Sequence, residues 1–428
     1  MNSLNKHRIG LVGTGFIASG FARLVHNHAP DLDISAVLTR RAPDNTEGFP
    51  FPERLTRSVQ ELLDKCDMIV ECSGDVLHAT DVIDTALRAG KPVVTMNSEF
   101  HVTTGSWFAN KGLLTEAEGD QPGSIAALRE EAVMMGFKPL VYGNMKGFLN
   151  HHPTPEEMAY WAGKQGISVE QTTSFTDGTK IQIEQALVAN GFGGTITRQG
   201  MEGPKSADVS KAAIELARTA AERGQAISDY VLSPGNAGVF VVGTHDKSEW
   251  KALNYLKLGD GPYYVLVRPF HLCQYEIIKT VRRVIHGGGV LLNNSSAPTI
   301  SIVGIAKTDL PAGTRIDRAI GGFQVRGEAA RIQDVPNHVP IGMIQNAVIT
   351  RPVLAGQTFG DRQRARIRDT IAAHVSAGTA LWITSMKSTG SCVCMPAAFA
   401  SGPLMVPTGA GVVTPRPCAL ACAMGRHR

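Results

Sequence analysis

The 428-residue sequence predicts an α/β fold at its amino-terminal end, then an α+β region, then a small β-rich unit. Three observations carry that expectation. A short apolar strand runs through a glycine turn into a helical pattern over residues 8–25. Strand-like and helix-like segments then alternate to about residue 96, the order that builds a parallel sheet. From about Thr299, short apolar runs broken by Gly and Pro replace that alternation.

The opening strand is Arg8 to Val12, followed by Gly13-Thr-Gly15-Phe16-Ile17-Ala18 and then Gly20, Phe21, Leu24 and Val25. This is a dinucleotide fingerprint in its required setting of strand, turn and helix. Gly13 permits the tight turn, Gly15 lets the backbone approach a pyrophosphate, and Ala18 keeps the helix close to the sheet. The helix start at Phe16 and Ile17 offers free N–H groups to phosphate. A Rossmann domain with a dinucleotide site is expected from these residues.

The second strand, Leu32 to Leu38, ends in Thr39-Arg40-Arg41. A site built for NAD places an acidic side chain here to take the ribose hydroxyls. Two arginines suit a 2′-phosphate instead, so NADP(H) is expected in preference to NAD(H). Next come Met68 to Gly74, a strand ending in a small-residue turn, a helix from about His78 to Arg88, and the strand Val93 to Met96. Asn97, Ser98 and Glu99 follow it. Ligands of parallel sheets lie beyond the carboxyl ends of the strands, so Ser73, Gly74, Asn97 and Glu99 are expected to face cofactor or substrate.

In the central region Phe175-Thr-Asp177-Gly178-Thr179-Lys180 reads as a strand, a tight turn and a helix start, the helix ending near Asn190-Gly191. Lys180 and Glu184 are four apart and share a face. Reducing a carbonyl needs a cationic or proton-donating group where alkoxide charge develops. Lys180 is the leading candidate, oriented by Asp177 or Glu184; an exposed ion pair is the competing reading. Asn144, Lys146 and Asn150 sit in what reads as a loop after a strand at 139–142, with His151 and His152, and suit a polar or phosphorylated ligand. A divalent metal at the two histidines is conceivable in chemistry, but spacing fixes no further ligand. Arg268 and His271 end another apolar strand and join the candidates, for anion binding and proton transfer respectively.

The order of landmarks resembles a known family. VECSG at 70–74, AGKPVVTMN at 89–97 and DGTK at 177–180 are similar to homoserine-dehydrogenase-like oxidoreductases. GDQP at 119–122, FLNHHPTP at 148–155, FTDGTKIQIEQALVANGFG at 175–193, GVFVV at 238–242 and LGDGPYYVLVRPFHL at 258–272 resemble the second type of deoxyxylulose-phosphate reductoisomerase-like proteins. The resemblance runs over residues 7–363. It implies a Rossmann domain (1–140), a catalytic and dimerising domain (141–297) and a SAF-like domain (298–363), in a homodimer that reduces a small polar carbonyl compound with NADPH. A phosphorylated ketose rearranged before reduction is one such substrate. The family loop is lysine-rich, resembling GKGKNNP, where this chain has GNMKGFL at 143–149. That departure leaves the named reaction open. A homoserine-type dehydrogenase is the alternative enzyme, and a non-catalytic nucleotide-binding sensor the alternative of another class.

Composition bounds the rest. Apolar residues at 43% and charged ones at 19% fit a globular chain of two or three domains. Lys387, Arg416, Arg426 and Arg428 lie beyond the last acidic residue, Asp369, and account for the whole net charge of +4. No basic stripe is left for nucleic acid, and no apolar run suits a membrane. Scattered cysteines without a signal-peptide pattern point to a reducing cytoplasm. The stretch 364–428, with four of the seven cysteines and no helical or alternating period, reads as a disordered tail, an aberrant ending such as a shifted reading frame.

Overall fold

A computed structural model describes residues 6–42 and 48–360. The tail at 364–428 lies outside the described residues. The first layer is built from β1 (His7–Val12), α1 (Phe16–His28), β2 (Leu32–Leu38), β3 (Leu55–Thr56), α2 (Val59–Lys65), β4 (Met68–Glu71), α3 (Val76–Arg88), β5 (Val93–Thr95), α4 (Ser98–Thr103) and β6 (Leu114–Glu116). Its six strands are parallel and ordered β3-β2-β1-β4-β5-β6. Alternate residues of β1 feed opposite faces: Ile9 and Leu11 enter one apolar cluster, Val12 the other. All ligand-facing loops therefore emerge at one edge, the carboxyl ends of the strands.

The second layer starts with α5 (Gln121–Met134) and continues with β7 (Lys138–Lys146), α6 (Pro155–Gln165), α7 (Val169–Thr176), α8 (Thr179–Phe192), α9 (Val209–Arg223), β8 (Ile227–Leu232), β9 (Val239–Thr244), α10 (Trp250–Tyr255), β10 (Tyr264–Arg268) and α11 (Ile277–Ile285). Its sheet has the order β10-β9-β7-β8 and is mixed, β7 pairing parallel to β8 and antiparallel to β9. Helices α5 and α8 cover one face, α9 the other. Helix α11 turns back: Ile277, Val281 and Val284 join the cluster under β1 and α1. That return ties the second layer to the first.

Two antiparallel ladders complete the described chain, β11 (Ile300–Ala306) with β13 (Val325–Arg331) and β12 (Arg315–Arg318) with β14 (Gln345–Val348). The similar segments LPAGT and LAGQT meet, since Leu310 and Val353 exchange backbone hydrogen bonds of 2.8 and 2.9 Å. This β-rich unit docks on α8, where Gly327 N–H donates to Thr179 Oγ1 and Ala329 N–H to Gln182 Oε1, each 2.9 Å.

Three local expectations are corrected. Phe175 ends a helix, not a strand: Ser168 and Gln171 form a capping box that starts α7, and Gly178 (φ 89°) breaks it before α8. Asn144 and Lys146 lie on β7 rather than in a loop, because β8 pairs with that strand through both residues and β9 as far as Asn144. Helix α8 runs on to Phe192 and is capped by Gly193 (φ 67°). Gly191 serves packing instead, since a Cβ there would lie 2.2 Å from Leu292 Cδ1. Buried from Thr179 to Asn190, α8 shows no amphipathic stripe because sheet and β-rich unit enclose it.

Candidate active site

The nucleotide end is built from the ends of β1, β2 and β4. Gly13 has φ 108°, and a Cβ there would sit 3.0 Å from the Cys72 carbonyl oxygen. Gly15 caps α1 with no side chain on the helix N–H groups, and a Cβ there would meet nothing within 4 Å. That open space in front of free donors fits a pyrophosphate. Ala18 is fully buried, Phe16 is 51% exposed and Ile17 packs at the edge of the core. Arg40 and Arg41 are exposed beyond β2. Arg40 Nη2 lies 3.0 Å from Asp75 Oδ2, and the Arg41 N–H donates to Thr39 Oγ1 at 3.2 Å.

The loops after β4 and β5 are tightly tied. Ser73 N–H donates to Glu71 Oε1 at 2.7 Å, Ser73 Oγ accepts from Asp75 N–H at 3.3 Å, and Gly74 takes φ 66°. Asn97 caps α4 through Phe100 N–H at 3.0 Å and is fully buried, so its amide holds the loop.

Beyond these loops stands Lys180, the second residue of α8 and 8% exposed. Its Nζ donates to Ser98 Oγ at 2.6 Å, Asp120 Oδ2 at 3.1 Å and Glu99 Oε2 at 3.3 Å. Glu184 Oε1 is 3.9 Å away, and Glu184 Oε2 accepts from Asn144 Nδ2 at 2.9 Å. Burial alone would lower the Lys180 pKa, but Asp120, Glu99, Glu184 and Glu116 raise it well above the ordinary value. Burial and then the Asp120 charge push the Glu184 carboxyl up to about 8, against the pull of Lys180 and Lys146. The site thus pairs an ammonium held charged by its acidic neighbours with a carboxyl whose pKa is raised to about 8.

Asp177 does not orient Lys180. It starts α8 by accepting from Thr179 N–H at 2.9 Å, and its Oδ2 lies 2.6 Å from Lys307 Nζ of the β-rich unit. Three residues ahead of Lys180, at the end of α7, its carboxylate is held by a different cation. Arg268 is also engaged, with Glu118 at 3.2 Å and with Glu276, so its charge is met within the protein. Asn144 is fully buried and holds Glu184.

A cavity of about 550 Å³ opens beside this centre, lined by Lys146, Asn150, His271 and Gln121, with Met158, Trp161 and Phe175 as an apolar wall. Burial lowers the Lys146 pKa, and its Nζ lies 5.6 Å from the Phe175 ring centre. Gln121 was not evident from sequence. With its amide nitrogen towards the acids it donates to Asp120 Oδ1 (2.8 Å) and Glu184 Oε1 (3.2 Å), and its oxygen accepts from His271 Nε2 at 3.2 Å. Ser98 and Asp120 were likewise missed as Lys180 partners, although Asp120 stands in the GDQP segment that opens α5. Among the described residues, no group of three or more His, Cys, Asp or Glu is placed to hold a metal ion, and no helix is long and apolar enough to cross a membrane.

Two family models match successive parts of the chain. Residues 13–107 match the homoserine dehydrogenase NAD-binding domain, and residues 119–277 the catalytic domain of oxidoreductase DRL. A homoserine dehydrogenase of Bacillus subtilis (strain 168) is 26% identical over 211 residues, 42% of this chain and 48% of that protein. The chain thus spans about half the length of that curated relative. Among solved structures, a homoserine dehydrogenase from Thiobacillus denitrificans superposes at a TM-score of 0.45 with 15% identity, over 84% of this chain and 100% of that one. UDP-N-acetylglucosamine 3-dehydrogenase GnnA from Acidithiobacillus ferrooxidans gives 0.38 and 12%, over 67% and 91%. Two successive parts of the chain are thus similar to a homoserine dehydrogenase NAD-binding domain and to the catalytic domain of oxidoreductase DRL.

Proposed function

We infer that this protein is an NAD(P)-dependent oxidoreductase, NADPH in preference to NADH, that reduces the carbonyl of a small polar metabolite. The observation that carries the reading is the buried Lys180 ammonium, set between Ser98, Glu99 and Asp120 beside a cavity. A bound reduced nicotinamide supplies the hydride. Gly13, Gly15 and the start of α1 hold the pyrophosphate, and Arg40 and Arg41 meet the 2′-phosphate.

Lys180 donates to the carbonyl oxygen and stabilises the negative charge that grows there, in a site already ordered for it. Glu99 and Asp120 keep the ammonium charged; Ser98 fixes its direction. Glu184, protonated because it is buried, is the proton source beside it, steadied by Asn144. Asp177 acts by position, anchoring the start of α8 to Lys307. In the cavity Lys146 and Asn150 meet the polar end of the substrate and His271 stands in reach for proton transfer. Arg268 supports that wall through Glu118 and Glu276.

The division proposed is a Rossmann domain over 1–140, a catalytic and dimerising domain over 141–297, and a SAF-like unit over 298–363 that packs on α8, with α5 (Gln121–Met134) sharing the core of the second layer. The test is nucleotide titration followed by turnover with aldehydes, hydroxy acids, homoserine and ketose phosphates. Turnover lost in Lys180→Ala, with nucleotide affinity kept, supports the reading. Tight nucleotide binding with no turnover, unchanged by Lys180→Ala, favours a non-catalytic sensor.

A further inference from the structure

The sheet order places β2 and β4 on either side of β1, so the loops after them flank the glycine turn. Arg40 comes from one flank and Asp75 from the other, and their 3.0 Å ion pair crosses between the flanks at the nucleotide edge. The end of β2 carries no acid in sequence. The fold returns one there from 35 residues away.

Asp75 is held in place. Its Oδ1 accepts from His78 N–H at 2.9 Å as the cap of α3, which leaves Oδ2 for Arg40. Arg318 of the β-rich unit donates to the Gly74 carbonyl at 2.8 Å, adding a second cation beside the same loop. Burial would raise the Asp75 pKa, but the His78 N–H, Arg40 and Arg318 hold it below the ordinary value, so the carboxylate is ionised.

Resting on the cofactor reading above, we propose that Asp75 is a specificity-determining residue for the dinucleotide's 2′-position, through its hold on Arg40. A 2′-phosphate must take Arg40 from Asp75 and sit near a carboxylate, and like charges at that range repel. A 2′-hydroxyl meets no such cost and can donate to the carboxylate itself. Asp75 therefore restrains a preference for NADPH that Arg40 and Arg41 create.

Asp75→Asn tests this because asparagine also caps helices well, so the charge goes while α3 stays capped. Affinities for NADPH and NADH are read by fluorescence titration, apart from any turnover. Freeing Arg40 should raise the NADPH-to-NADH affinity ratio about two- to fivefold, the scale of one exposed ion pair. Arg40→Ala added to Asp75→Asn should remove that gain. Asp75→Ser, another good cap, should repeat the rise and serves if the asparagine variant folds poorly. A ratio unchanged in both single variants overturns the proposal, as does a gain that survives loss of Arg40. A wild-type protein that binds neither nucleotide overturns the cofactor reading and this proposal with it, whereas binding with an unmoved ratio overturns this proposal alone.

Discussion

Lys180 Nζ lies 2.6 Å from Ser98 Oγ, a hydrogen bond that joins α8 of the second layer to the start of α4, just after β5, in the first. The cation is thus fixed against the edge where the nucleotide loops emerge. Replacing Ser98 by Ala removes that guide but keeps Glu99 and Asp120 on the ammonium. Turnover in Ser98→Ala should fall by about 10- to 100-fold, the range for a positioned polar group. Nucleotide affinity measured in parallel should stay within about twofold, because Ser98 does not touch the glycine turn.

Glu184 supplies a pH dependence. Its carboxyl, raised to about 8 by burial and Asp120, is protonated below that pH and loses its proton above it. Turnover should therefore decline as pH rises through about 8, and Glu184→Gln should flatten that limb while lowering the plateau. A pH–rate profile on both proteins checks this. An unchanged alkaline limb in Glu184→Gln would assign it to another group.

The Lys307–Asp177 pair is 2% and 0% exposed, and it pins the β-rich unit to the start of α8. Removing one partner strands the other charge. Lys307→Met should destabilise the fold by about 3–5 kcal/mol, with Lys307→Met/Asp177→Asn recovering part of the loss. Urea denaturation of the single and double variants measures both values.

Behind the site, His101 Nε2 and Glu116 Oε2 are 3.4 Å apart and fully buried. Burial lowers the His101 pKa to about 3 and raises Glu116 well above the carboxylate range. Two opposite terms follow. Lowered His101 costs stability as pH falls below its unfolded value of 6.5, while raised Glu116 costs stability as pH rises above its unfolded value of 4.5. Between those values the two offset one another. Glu116→Gln leaves the histidine term alone, so stability should drop as pH falls from 6.5 towards 4.5, by up to about 1.4 kcal/mol per pH unit. Urea midpoints at the two ends of that window test it, the wild type changing least.

The nucleotide half was legible because its signals are local. Strand, glycine turn and helix follow one another within residues 8–25, and β2 falls on Leu32–Leu38 as expected from its apolar run. Lys180 was legible through its helix and its family landmarks. Its partners were not, because Ser98 and Asp120 lie 82 and 60 residues away and only the fold brings them in. Closeness in sequence points to Asp177, but its carboxylate is taken by the Thr179 N–H and Lys307 rather than by Lys180. Asp75 is illegible for the same reason as Asp120: it lies 35 residues from Arg40 in sequence, and only the fold brings the turn after β4 to the end of β2. Phe175 and Thr176 look strand-like in composition, yet the capping box at Ser168 carries the helix through them. The tail lies outside the described residues.

The most direct test of the central claim is a paired measurement on wild type and Lys180→Met: nucleotide affinity by titration and consumption of reduced nicotinamide with the carbonyl panel. A cation that acts only where charge develops should leave affinity within about twofold and lower turnover by about 100-fold or more. Wild-type turnover that survives Lys180→Met, or a wild-type protein with no affinity for either nucleotide, would contradict the account.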